Sequence, residues 1–188
     1  MSFSIKNIHK KYNRNYVLQR VNISFEDGLH LLTGINGIGK STLLKLIAKV
    51  INPTNSNYII ETTKVAYLCE KIELVNDKPL SFLKSICKIN NVKYDIKSDL
   101  KMWNIPNKNI MNLSKGNKQK VAILMMKYTI SDVYLFDEPT DSLDKRGIEL
   151  FADIIEKLLD ENKVVIISTH EPSYFTKFEY NEVKLCLE

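Results

Sequence analysis

The sequence predicts an α/β fold in which a mainly parallel sheet core is flanked by helices. Three observations predict it. Two short apolar runs rich in β-branched residues, Val133 to Phe136 and Val164 to Ser168, read as strands buried on both faces, the pattern of parallel strands between helix layers. Segments of helical periodicity separate the apolar runs. A glycine-rich segment, Gly34-Ile35-Asn36-Gly37-Ile38-Gly39-Lys40-Ser41-Thr42, stands between an apolar strand from His30 to Thr33 and a helix, where a phosphate-binding turn belongs.

In chain order, Phe3 to Ile8 and Val21 to Phe25 read as strands, followed by a turn at Asp27-Gly28 and a strand beginning at Leu29. A helix runs from Lys40 to about Lys49 and is stopped by Asn52-Pro53. The polar turn Thr54-Asn55-Ser56-Asn57 precedes short strands at Tyr58 to Glu61 and Val65 to Leu68. Residues 71 to 112 change character. Their helical pieces, such as Leu80 to Ile89 with Leu80, Leu83, Ile86 and Cys87 on one face, are separated by Asn- and Lys-rich breaks, a small helical insert. A helix from about Lys115 to Thr129, the strand ending in Asp137-Glu138, a helix from Lys145 to Leu159, the strand Val164 to Ser168 and an alternating terminal strand Val183 to Leu187 complete the chain.

The 188 residues suit one domain, and 44% hydrophobic with 26% charged residues is the composition of an ordinary folded protein. Disorder and collagen-like repeats are excluded. The net charge of +5 is mild, and apart from Arg14, Arg20 and Arg146 the basic residues are all Lys, unlike a dedicated nucleic-acid binder. No direct nucleic-acid contact is expected. No apolar run approaches the roughly 18 residues that span a bilayer, and Met1 to Lys6 alternates like a strand rather than opening a signal peptide. The expectation is a cytoplasmic protein. Cys69, Cys87 and Cys186 lie at no metal-ligand spacing and read as reduced small hydrophobes.

The loop Gly34 to Thr42 fits G-x-x-x-x-G-K-[ST]. Its glycines let successive backbone N–H groups turn inward as an anion nest, the following helix N-terminus adds partial positive charge, Lys40 reaches the β- and γ-phosphates and Ser41 ligates Mg²⁺. The apolar strand Val133 to Phe136 delivers Asp137 to hold Mg²⁺ directly or through water, and Glu138 to orient or deprotonate a water attacking the γ-phosphate.

These residues resemble the nucleotide-binding subunits of ATP-binding cassette (ABC) transporters over nearly the whole chain. Leu113-Ser114-Lys115-Gly116-Asn117 resembles the cassette signature L-S-G-G-Q, Glu138-Pro139-Thr140-Asp141-Ser142-Leu143-Asp144 resembles the E-P-T-x-x-L-D run into the D-loop, and Ser168-Thr169-His170 stands where the family keeps its switch histidine. Each has a plainer alternative: Ser114 and Asp144 as helix caps, His170 as a strand-end histidine. Tyr12, with Tyr16 as a close competitor, lies where the family stacks an aromatic ring on adenine. Glu70 stands in the position of the Q-loop glutamine.

The resemblance implies a P-loop NTPase of the ABC ATPase type, one domain over residues 1–188 with a small antiparallel β subdomain and a helical insert at about 71–128. It implies ATP and Mg²⁺ as cofactors. Nucleotide binding falls to Tyr12, Gly34, Asn36, Gly37, Ile38, Gly39, Lys40, Ser41 and Thr42, catalysis to Lys40, Glu138 and His170, and the metal to Ser41, Asp137 and Glu70. Ser114, Lys115, Gly116 and Asn117 face the ATP of a second cassette in a head-to-tail pair, homodimer or heterodimer, with Asp144 in the D-loop. A separate membrane-spanning permease subunit would receive the work of hydrolysis, holding the protein at the inner face of the membrane. Ile72, Leu74 and Val75 are apolar candidates for contact with it, or else insert core. Lys115, Asn117 and Glu70 depart from the family pattern. Three other readings are a soluble cassette ATPase acting on ribosomes or nucleic acid, a weakly hydrolysing regulatory cassette, and a small-molecule phosphotransferase, which leaves the signature, D-loop and switch histidine unexplained.

Overall fold

The computed structural model describes residues 2–61, 64–71 and 75–185; Ile72, Leu74, Cys186 and Leu187 lie outside them. Five strands form a parallel sheet: β3 (Gly28–Thr33), β5 (Val65–Leu68), β6 (Val133–Asp137), β7 (Val164–Ser168) and β8 (Tyr180–Lys184), in the order β5-β6-β7-β3-β8. A smaller antiparallel sheet, ordered β2-β1-β4, is built from β1 (Phe3–Tyr12), β2 (Asn15–Phe25) and β4 (Ile59–Ile60). Helices α1 (Lys40–Ile47), α2 (Pro79–Asn90), α3 (Ile96–Met102), α4 (Lys115–Lys127) and α5 (Lys145–Asp160) complete the regular structure with two short 3₁₀ turns.

Every residue of β6 and β7 is buried, because successive side chains enter two different cores. Val133, Leu135, Val164 and Ile166 point to one side and pack with Leu43, Leu44 and Ile47 of α1 and with Phe3, Ile5 and Phe25 of the antiparallel sheet. Tyr134, Phe136, Val165 and Ile167 point to the other and pack with Val121 and Leu124 of α4 and with Phe151, Ile154 and Ile155 of α5. Each such buried side chain contributes about 1.5–3 kcal/mol, so the two central strands anchor both layers.

The insert joins the second core rather than forming its own. Leu83 and Cys87 of α2, Ile96 of α3 and Trp103 just after it all belong to the cluster that covers β6 and β7. Leu80 and Ile86 are partly buried against it, which bears out the face read from the sequence. Helix α3 is capped by Asp95, whose side chain accepts from the Ser98 N–H at 3.1 Å, and α2 begins on Pro79 and ends at Asn91 with a left-handed φ of 53°.

The antiparallel sheet extends further than the hydrophobic pattern suggests. β1 and β2 form one long hairpin turning at Asn13 and Arg14, in place of the two short strands read from apolar residues. Register shifts interrupt its alternation, and Asn7 and Arg20 adopt φ of 53° and 49°, so apolar residues change face and the period of two is lost. β8 begins at Tyr180, earlier than the expected Val183, because its first residues are exposed at the sheet edge.

Parallel pairing places the carboxyl ends of the central strands level with one another. Leu32, Ser168 and Asp137 are register partners across β3, β7 and β6. The loops that follow β3, β5, β6 and β7 therefore open along one edge of the sheet, the place where open α/β folds bind ligands.

Candidate functional site

The segment after β3 wraps into helix α1 through Gly39, which caps the helix in the left-handed region at φ 113° with no side-chain cap. A Cβ there would lie 3.0 Å from Val17 Cγ1 and Leu18 Cδ2 of β2 and 3.1 Å from the Val17 carbonyl. Glycine satisfies both demands at once, and the first N–H groups of α1 are left without a side-chain partner, free for an anion.

Lys40 is 6% exposed. Its ammonium donates to the Gly34 carbonyl at 2.9 Å and stands 3.3 Å from His170 Nε2 and 3.8 Å from Glu138 Oε1. His170 Nε2 is in turn 3.1 Å from the same Glu138 oxygen. Lys40, Glu138 and His170 thus converge from the segments that follow β3, β6 and β7.

Glu138 is 8% exposed, and neither carboxylate oxygen makes a hydrogen bond. Its backbone sits at φ 48° and is held by its N–H, which donates to Ser168 Oγ at 3.0 Å and to the Ser168 carbonyl at 3.2 Å. Burial holds its carboxyl above the ordinary range; His170 and Lys40 pull it down, while Asp141 and Asp137 push it up. A buried acceptor of raised basicity with no donor is chemically suited to take a proton from a water placed against it.

Asp137 is 1% exposed and fully engaged. Its Oδ1 accepts from Ser41 Oγ at 3.0 Å and from Ser168 Oγ at 2.7 Å, and its Oδ2 accepts from the Tyr67 hydroxyl at 3.2 Å. Burial first, and then the Asp137 charge, push the Tyr67 phenol far up, so it remains a donor. Among the described residues no group of three or more His, Cys, Asp or Glu side chains forms a cage for a metal. Ser41 with one carboxylate is the sparse oxygen set that Mg²⁺ uses when phosphates supply further ligands. Asn36, Gly37, Gly39, Lys40, Ser41, Thr42, Glu70, Glu138, Asp141 and His170 line one cleft of about 470 Å³.

The segment Leu113 to Asn117 opens α4 away from that cleft's lining. Ser114 caps the helix, accepting from the Asn117 N–H at 3.3 Å. A Cβ on Gly116 would meet the Ser142 carbonyl at 2.6 Å, so the helix lies directly on the 138–144 loop. Gln119 donates to the Pro139 carbonyl at 3.0 Å, and Lys120 pairs with Asp144 at 3.0 Å. Asp144 also caps α5, accepting from the Gly147 N–H at 2.9 Å. The Lys120 hydrogen bond, and then that N–H, hold its carboxyl below the usual range. Lys115 is exposed at the start of α4, whose first turn carries no acidic residue.

Tyr12 and Tyr16 flank the turn of the β1–β2 hairpin, both about half exposed, and neither lines the cleft. Tyr16 neighbours Val17 and Leu18, which touch Gly39. Val75 is exposed. Sequence reasoning did not single out Tyr67, Asp141, Gln119 or Lys120. The signal for Tyr67 was a polar atom in an apolar strand beside the acidic one, but its partner depends on strand register.

The family model described as ABC transporter matches residues 18–141. An ABC transporter ATP-binding protein of Methanocaldococcus jannaschii is 31% identical over 177 residues, covering 89% of this chain and 67% of the relative. The cytochrome c biogenesis ATP-binding export protein of Reclinomonas americana is 29% identical over 189 residues, covering 90% of this chain and 85% of the relative. Among solved structures, an ATP-binding subunit of an ABC transporter superposes with a TM-score of 0.85 at 21% identity, covering 98% of this chain and 86% of that one; at this identity the likeness concerns the fold.

Proposed function

The chain belongs to the ABC transporter family and is an ATPase of its cassette type, and we propose from that premise that it energises transport through a separate membrane subunit. The triphosphate of ATP lies over the loop of Gly34, Asn36, Gly37, Ile38, Gly39 and Thr42, with Lys40 released from the Gly34 carbonyl to the β- and γ-phosphates. Ser41 and Asp137 would hold Mg²⁺, with Glu70 as a further candidate ligand, and the ion would supply charge to polarise the phosphoryl oxygens. Glu138 takes the proton of the attacking water, and His170 contacts the γ-phosphate side of the cleft. Tyr12 or Tyr16 stacks on the base.

The observation that carries this reading is the convergence of Lys40, Glu138 and His170 at one sheet edge, around a buried carboxylate that has no hydrogen-bond donor. A water bound between Glu138 and the γ-phosphate supplies that donor. Ser114, Lys115, Gly116 and Asn117 lie outside the cleft lining. In this reading they complete the site of a second cassette, in the simplest case a second copy of this chain. Among the described residues no helix is long and apolar enough to cross a membrane; in this reading a permease subunit holds the cassette at the inner face of the membrane. Export is the direction favoured by the compact chain and by the relative named as an export protein.

The test is phosphate release by purified protein and by Lys40→Ala, with and without membranes containing the permease. Wild-type turnover stimulated by the permease and abolished by Lys40→Ala is the expected result. Full turnover in Lys40→Ala overturns the assignment of the cleft. Stimulation by RNA or ribosomes in place of a membrane subunit overturns the transport reading.

A further inference from the structure

β5 is the edge strand of the parallel sheet on the side where the chain runs on to Glu70. In the parallel register Tyr67 is the partner of Leu135, so its side chain lies on the sheet face that carries Val133, Leu135 and, two residues on, Asp137. The contact between Tyr67 and Asp137 is a diagonal cross-strand pair, within reach of an aromatic side chain. Its hydroxyl donates to Asp137 Oδ2 at 3.2 Å, while Ser41 and Ser168 both donate to Oδ1.

That division matters for a metal ligand. The terminal torsion of an aspartate is broad, and donors on one oxygen alone leave the carboxylate plane free to swing about them. A donor on each oxygen fixes the plane. Ser168 is tied on its other side to the Glu138 N–H, and Ser41 is itself a candidate ligand, so of the three donors Tyr67 alone is neither a candidate ligand nor bonded to the Glu138 backbone.

We propose that Tyr67 is a positioning residue for the divalent ion, its hydroxyl fixing the Asp137 carboxylate in the plane that presents it to a metal at Ser41. The proposal rests on the reading of the cleft as a Mg²⁺–ATP site.

Tyr67→Phe removes one oxygen and keeps the ring that packs on the core. Binding of a fluorescent N-methylanthraniloyl-ATP is measured in EDTA and across a Mg²⁺ series, and the signal of bound Mn²⁺ is recorded by electron paramagnetic resonance with a non-hydrolysable ATP analogue. The Mg²⁺ concentration for half-maximal binding is expected to rise about tenfold, the low end of what loss of an outer-shell partner does to metal affinity. Nucleotide affinity in EDTA stays at the wild-type value, and the Mn²⁺ signal weakens in parallel. Unchanged Mg²⁺ dependence overturns the proposal, and so does an equal loss with and without metal, which marks a merely structural hydroxyl. Lys40→Ala, run beside it, tests the underlying reading: wild-type nucleotide binding in that variant removes the nucleotide site itself, whatever Tyr67→Phe does.

Discussion

Glu138→Gln separates two consequences of one buried charge. The residue is 8% exposed with no donor on either oxygen. Lys40 at 3.8 Å attracts it by about 4 kcal/mol at an effective dielectric of about 20. Burial outweighs that attraction together with the one from His170, since the carboxyl titrates above its ordinary range. A carboxyl raised on folding contributes stability that is fully present below its unfolded value, about 4.3, and lost as pH rises through the folded value. The fold therefore disfavours ionisation of this carboxyl. The neutral amide cannot ionise and so loses that pH dependence, and each kcal/mol of difference from wild type shifts Tm by roughly 2–4 °C for a chain of this size. Thermal unfolding of nucleotide-free wild type and variant is compared between about pH 4 and pH 7.5. The variant should gain on the wild type as pH rises, while phosphate release falls by about 10²–10⁴. A variant that is less stable at neutral pH, or that hydrolyses ATP at the wild-type rate, refutes the reasoning.

Two further substitutions probe the α4 contact with the 138–144 loop, and a third the exposed start of α4. Gly116→Ala places a Cβ 2.6 Å from the Ser142 carbonyl, which neither backbone can yield cheaply. Unfolding should show a loss of about 1–3 kcal/mol, and turnover should fall because helix α4 and the Glu138 loop are pushed apart. Asp144→Ala removes a cap worth about 1 kcal/mol, while its exposed pairing with Lys120 adds less than that. Because the Asp144 carboxyl is depressed, its contribution is present above the unfolded value and lost as pH falls through the folded one; the Tm difference from wild type should therefore shrink on acidification below about pH 4. Lys115→Gly restores the family residue at a position with no acidic neighbour in its turn. Steady-state kinetics should change in rate while single-cassette nucleotide binding stays the same, and identical kinetics would make the lysine incidental.

The core was legible where chemistry and periodicity coincide. β7 runs from Val164 to Ser168 and β6 from Val133 to one residue past the expected Phe136, because strands buried on both faces need continuous apolar residues. The edges were less legible. The β1–β2 hairpin is polar on its outer face and bulged at Asn7 and Arg20, and β8 is too exposed to show a hydrophobic start. At the site, the motifs marked Lys40, Asp137, Glu138 and His170, but the partners that set their chemistry lie far away in sequence. Tyr67 reaches Asp137 through the register of two parallel strands, and Gln119 and Lys120 reach Pro139 and Asp144 through helix packing. None of these pairings follows from spacing along the chain.

The most direct test of the central claim, that a second copy of this chain closes this cleft over ATP, is the molar mass of purified Glu138→Gln by light scattering, with and without ATP and Mg²⁺. The account predicts a monomer without nucleotide and a doubling of mass with it. A mass that stays monomeric while ATP is bound contradicts it.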